Sequence, residues 1–141
     1  MKHISLLFVV AIMFWSCGQQ SSNDSQAEQA QPEEWMGMDE FHMVMAESFH
    51  PYRDSANIEP AKQYAKEMLV AVEAWSNNPL PEKVDNDEVR QLMADLTRQC
   101  QQLLDATNLD LTDSIGSKLT AAHDVFHHLQ EKWYQKEEHH Q

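Results

Sequence analysis

Three histidines fall where metal ligands would be useful. His123 and His127 are four residues apart, so on a helix both project from one face, about one turn from each other. His42 lies between Met38 and Met45. There Trp35, Met38, His42, Met45 and Phe49 recur at alternating steps of three and four, one stripe of a helix. Imidazole suits Zn and Cu alike, and an i, i+4 pair with a third histidine from a facing helix makes a workable site. Met45 is one turn from His42, and a thioether there would tilt the choice toward Cu(I). His50, two turns from His42 and beside Pro51, is either a further ligand or a helix-end histidine. The competing assignment gives these side chains no metal. His42 is then a packed core histidine, the His123–His127 pair is surface, and Met38, Met45 and Met68 are packing. Any cofactor at these histidines, metal ion or prosthetic group, requires His42 to face the bundle and not solvent.

Histidines 81 and 85 residues apart in sequence meet only if the chain folds two helices against each other. The pattern supplies four helical stretches and no competing strand pattern. The first carries the stripe above and is expected to end at Pro51. The second opens at Asn57 or Glu59, with Pro60 in its first turn, and buries Ala61, Ala65, Met68, Val72 and Trp75. The segment 76–81 stops it. The third has Asp85 as N-cap with Glu88 three residues on, and a stripe of Val89, Leu92, Leu96, Cys100 and Leu103. The fourth starts near Thr112 and buries Ile115, Leu119, Ala122, Phe126, Leu129 and Trp133. Short connections make this an all-α, up-down-up-down antiparallel four-helix bundle over residues 35–136, with 137–141 a frayed tail. Helices one and four are then neighbours. His42 is about 10 residues from its loop and His123 about 11 from its own, so at about 1.5 Å per residue they stand nearly level. On a helical wheel His123 borders the apolar arc and His127 lies at its edge.

Composition agrees. The chain has 141 residues, enough for one domain, with only 3 Gly and 5 Pro but 8 Met and 8 His. Asp and Glu number 23 against 10 Lys and Arg, a formal charge of −13. No nucleic-acid partner is expected, since a phosphate backbone is held by excess Lys and Arg. Cys17 and Cys100 are too few for a disulfide framework, and Cys100 sits on a core stripe as a small hydrophobe.

The amino terminus reads as an address. A short basic start precedes an apolar run from Ile4 to Trp15, below the roughly 20 residues that span a membrane but suited to a secretory signal. Ser16-Cys17-Gly18 then resembles a bacterial lipobox. That resemblance implies a signal peptide over 1–16 and a fatty-acylated (palmitate-bearing) Cys17 anchoring the chain to a membrane. Residues 17–34 lack aromatic and branched apolar side chains and read as a disordered tether. No aspartate follows Cys17, which favours the outer membrane of a bacterial cell envelope, on its periplasmic or its surface side.

The fourth stretch, Leu119-Thr-Ala-Ala-His123-Asp-Val-Phe126-His127, resembles the last helix of the cytochrome b562 family, periplasmic four-helix haem proteins. His127 falls on that family's haem-ligand position, and the family's first-helix ligand lands on or next to His42. The resemblance implies a b-type haem with His42 and His127 axial, although a histidine here replaces the family's methionine and His123 its basic residue. A covalently attached haem is excluded, since no Cys-x-x-Cys-His is present. The segments around His50-Pro51 and His123–His127 are also similar to small bacterial lipoproteins with FHP and HxxFH signatures.

The leading expectation is therefore a lipid-anchored bundle that binds a transition metal, Zn or Cu, for storage, buffering or delivery. The alternatives are a b-type haem electron carrier and a cofactor-free structural lipoprotein. An enzyme is not expected. No Ser or Cys nucleophile stands near a base, no Gly-rich phosphate loop is present, and no Glu-x-x-His pair faces inward as a di-metal carboxylate centre requires.

Overall fold

Four α-helices make up almost all of the computed structural model, which describes residues 34–135. They are α1 (Met38–Ser55), α2 (Glu59–Ser76), α3 (Asp87–Asn108) and α4 (Thr112–Tyr134). A single 3-10 turn at Glu82–Val84 lies between α2 and α3. Among the described residues no strand occurs, and no helix is long and apolar enough to cross a membrane. The signal segment, Cys17, the tether up to 33 and the tail lie outside the described residues.

The helices form because each has one apolar face to bury. The expected stripes of α2 and α4 are buried at every position. In α3, Val89, Leu96, Cys100 and Leu103 are buried as expected, joined by Met93 and Ala106, while Leu92 is half-buried. Burial pushes the Cys100 thiol up to about 12, so the side chain behaves as an apolar filler.

Contacts across the bundle run in opposed order along successive helices. The start of α2 meets the turn that follows α3 through Lys62 and Asp110, 2.9 Å apart, while Ser76 reaches Thr97 within α3. Lys132 pairs with Glu88 at 2.7 Å, and Lys118 donates to Gln102 at 2.8 Å. Between α1 and α4, Phe41 packs on Phe126 with ring centroids 5.2 Å apart, and Trp35 on Trp133 at 5.6 Å. Trp75 completes that aromatic end, 4.9 Å from Trp35. Gly37 makes this closure feasible. Its φ of 97° favours glycine, and a Cβ there would sit 2.9 Å from the Trp75 Cβ.

Two helix boundaries differ from the expectation. Pro51 does not end α1, which runs another turn to Ser55. Proline removes one donor, but its carbonyl stays useful. It accepts from Ser55 Oγ at 2.9 Å and from the Asn57 N–H at 3.2 Å, and Ala56 closes the helix in the left-handed region at φ 54°. The N-cap of α3 is Asn86, not Asp85. Asn86 Oδ1 accepts from the Val89 N–H at 3.0 Å, while the Asp85 carboxylate is taken by Arg90.

Candidate metal site at the seam of α1 and α4

His42 does not belong to the buried stripe of α1. The stripe is Met38, Phe41, Met45, Ser48 and Phe49, and His42 is exposed at its edge. Phe41 takes the core position that the three-four stepping assigned to His42. The condition that His42 face the bundle is therefore not met. The expected metal and haem sites built on an inward-facing His42 are therefore not formed, and any site at this seam is open to solvent and has to rest on His123 and His127.

The histidines nevertheless share a place. A cavity of about 190 Å³ between α1 and α4 is lined by His42, His50, His123 and His127, with Met45 and Arg53 among the other walls. Met45 forms part of its floor and is 1% exposed, so its main role is packing. Ser48, one turn on, is buried with its Oγ bonded to the Val44 carbonyl at 3.0 Å, which satisfies it within the helix.

The closest pair of histidine nitrogens is on α4. His123 Nε2 and His127 Nε2 converge to 3.0 Å. The His123 ring lies flat against Phe49 of α1, centroids 3.6 Å apart and planes 14° apart, which leaves its side chain only 23% exposed. On its other side, His123 Nδ1 stands 3.3 Å from Asp124 Oδ1. A carboxylate there holds the ring proton on Nδ1 and turns the Nε2 lone pair toward His127, the arrangement that supports a metal-bound imidazole. Burial holds His123 below its ordinary value of 6.5, and His127 and His50 add to this, against the pull of Asp124. The ring is thus kept neutral, the form that binds metal.

A tetrahedral ion with bonds of about 2.0 to 2.1 Å would hold two imidazole nitrogens about 3.3 Å apart. The observed 3.0 Å is a histidine–histidine hydrogen bond in which one Nε2 carries the proton, so an ion would have to displace that proton and open the pair by about 0.3 Å. His42 and His50 are further out. The His42 ring is 5.3 Å from Phe126, not from His123. Phe126 is three residues along α4 from His123, about 4.5 Å of helix rise. As the side chains stand, no three His, Cys, Asp or Glu groups among the described residues are gathered as a ligand set. His42 and His50 are exposed side chains on the cavity wall, and so is His127.

Sequence reasoning missed two neighbours. Phe49 acts as the plate under His123, and the i to i+4 spacing from Met45 on the core face was the available signal. Arg53 lines the cavity from the extra turn of α1 that Pro51 was expected to remove. Glu47 and His50 do have the Glu-x-x-His spacing, but both are exposed. His128 is exposed, as expected for a solvated residue.

No family model, no curated protein and no solved structure matches this chain.

Proposed function

We propose that this bundle is a transition-metal binding module that takes Zn or Cu at the seam of α1 and α4. The observation that carries the reading is the convergence of His123 Nε2 and His127 Nε2 to 3.0 Å on the wall of a cavity that His42 and His50 also line. His123 and His127 would be the paired ligands, with His42 and His50 of the same cavity wall the further candidates. Met45 lies beneath as a soft sulfur for Cu(I). A site open to water, with only His123 partly buried, suits uptake and release over permanent structural holding. That supports storage, buffering or delivery. With Cys17 lipidated, the module would work on a tether at the bacterial envelope.

The size of the cavity favours an ion over haem. Pockets for drug-sized ligands run from about 300 to 1,000 Å³, and this one is about 190 Å³. The core beside His42 is filled by Phe41 and Phe126.

The test is calorimetric titration of the full chain, purified without a polyhistidine tag, with Zn and with Cu, alongside an absorbance spectrum. One equivalent should bind. His123→Ala and His127→Ala should each weaken binding a hundredfold or more, and His42→Ala or His50→Ala about tenfold. Absence of binding, or binding indifferent to His123 and His127, sinks the reading. A Soret band lost with His127→Ala would install the haem carrier in its place.

A further inference from the structure

A carboxylate and two imidazoles stand in series on α4. Asp124 Oδ1 lies 3.3 Å from His123 Nδ1, and His123 Nε2 lies 3.0 Å from His127 Nε2. An ionised carboxylate can only accept, so the first contact puts the His123 proton on Nδ1. His123 Nε2 is then the acceptor, and the proton between the rings belongs to His127 Nε2. The lone pair of His127 is left on Nδ1, which takes part in no hydrogen bond among the described residues. A nucleophile within hydrogen-bond reach of a base, with the base oriented by a third group, is the arrangement that activates a side chain for covalent chemistry. Histidine is one of the side chains that form such covalent intermediates. No Ser or Cys stands beside a base here, but two histidines four apart supply both partners. His123 is the partly buried member, while His127 and Asp124 are open to solvent. His127 lines the seam cavity together with Phe49, Phe126 and Met45. At about 190 Å³ that space suits a short acyl or a single aryl group.

We propose that His127 is a nucleophile toward activated esters of small carboxylic acids, with His123 and Asp124 acting through it. His127 Nδ1 attacks the ester carbonyl carbon, and the bond to the leaving phenolate breaks with its electron pair on the phenolate oxygen. The acylated ring would be positively charged. Its Nε2 proton passes to His123 Nε2, and Asp124 holds the imidazolium so formed. Water then cleaves the bond between acyl group and Nδ1, and the carboxylic acid keeps the water's oxygen and one hydrogen. The second hydrogen leaves to solvent as a proton, balancing the phenolate, while His123 returns its proton to His127 Nε2. The reaction uses the pair with no ion between its nitrogens, so it does not rest on the metal reading.

The test gives p-nitrophenyl acetate to the full chain carrying Cys17→Ser, at neutral pH with a chelator present. No accessible thiol then competes, and no metal contributes. Release of p-nitrophenolate above the buffer blank should fall about tenfold or more in His127→Gln and in His123→Gln. Asp124→Asn should lower it several-fold, and Asp124→Glu should recover part of that loss, since it restores the carboxylate. His128→Gln should leave the rate unchanged. After an acid quench, mass mapping of the unsubstituted histidines should find the acyl group on His127. Release indifferent to His127→Gln overturns the proposal. So does an equal fall in His128→Gln, or an acyl group mapped to another residue, whatever the metal titrations give.

Discussion

The imidazole of His123 lies on the ring of Phe49, 3.6 Å between centroids and 14° from parallel, so α1 supplies the surface on which the α4 histidine is held. The stack does two things at once. It fixes the direction of Nε2 toward His127, and it removes one face of the ring from water. The second effect is why burial is the largest influence on the His123 titration.

Replacing that plate should therefore move a proton equilibrium as well as stability. Phe49→Leu keeps an apolar side chain against the core, at a cost of about 1 to 1.5 kcal/mol. It gives up the flat contact, so the His123 titration should shift upward toward its ordinary 6.5. Histidine proton resonances followed by NMR against pH would show it. A titration curve unchanged by Phe49→Leu would mean that the stack does not govern the ring.

A depressed histidine also makes stability depend on pH with a defined sign. Unfolded, His123 takes a proton near 6.5; folded, it does so only at lower pH. Between those two points the unfolded chain binds more protons, so acid favours unfolding there. The His123 contribution is fully present above about 6.5 and is lost as pH falls through its folded value. His123→Gln should flatten this part of the profile. Urea midpoints collected from pH 7.5 down to 5 for both chains are the comparison, and parallel curves would count against it.

How much of this could be read from residue order depends on the helix. In α2 and α4 a single apolar face leaves no choice, and the stripes from Ala61 to Trp75 and from Ile115 to Trp133 are the buried faces. In α1 two adjacent residues, Phe41 and His42, both fit a stripe through Met38 and Met45, because a buried arc is at least about 100° wide. Spacing alone cannot choose between neighbours 100° apart, and burying a phenyl ring gains more than burying an imidazole. The α3 cap failed for a similar reason. Asp85 and Asn86 are both competent caps; the Asp85 carboxylate pairs with Arg90 and Asn86 takes the cap. Pairing of His123 with His127 was legible, since four residues of helix fix it. The level of His42 against α4 was not, because it depends on how two helices slide.

Cys100 provides a check on the core. It is buried and its thiol is pushed up to about 12, so hardly any thiolate exists at neutral pH and none is accessible. In a Cys17→Ser chain, an aromatic disulfide reagent at pH 8 should release no colour from the native protein and one equivalent in guanidinium. Rapid reaction without denaturant would mean that α3 opens far more readily than its packing suggests.

Gly116 of α4 tests the closeness of the same seam that holds the histidines. A Cβ there would meet the Tyr52 ring at 2.5 Å, so the ring must leave its place. Two effects oppose each other in Gly116→Ala. Helix propensity favours alanine by about 1 kcal/mol, whereas crowding a packed contact costs about 1 to 3 kcal/mol. In the natural chain crowding should win, and the substitution should destabilise. In a Tyr52→Ala background the obstacle is gone, and only propensity remains. There Gly116→Ala should stabilise by about 0.5 to 1 kcal/mol. The reversal of sign, read from urea unfolding of the four chains, is the signature of a direct contact between α1 and α4. If Gly116→Ala stabilised both backgrounds equally, Tyr52 would not be seated there, and α1 would not be fixed at this end by that contact.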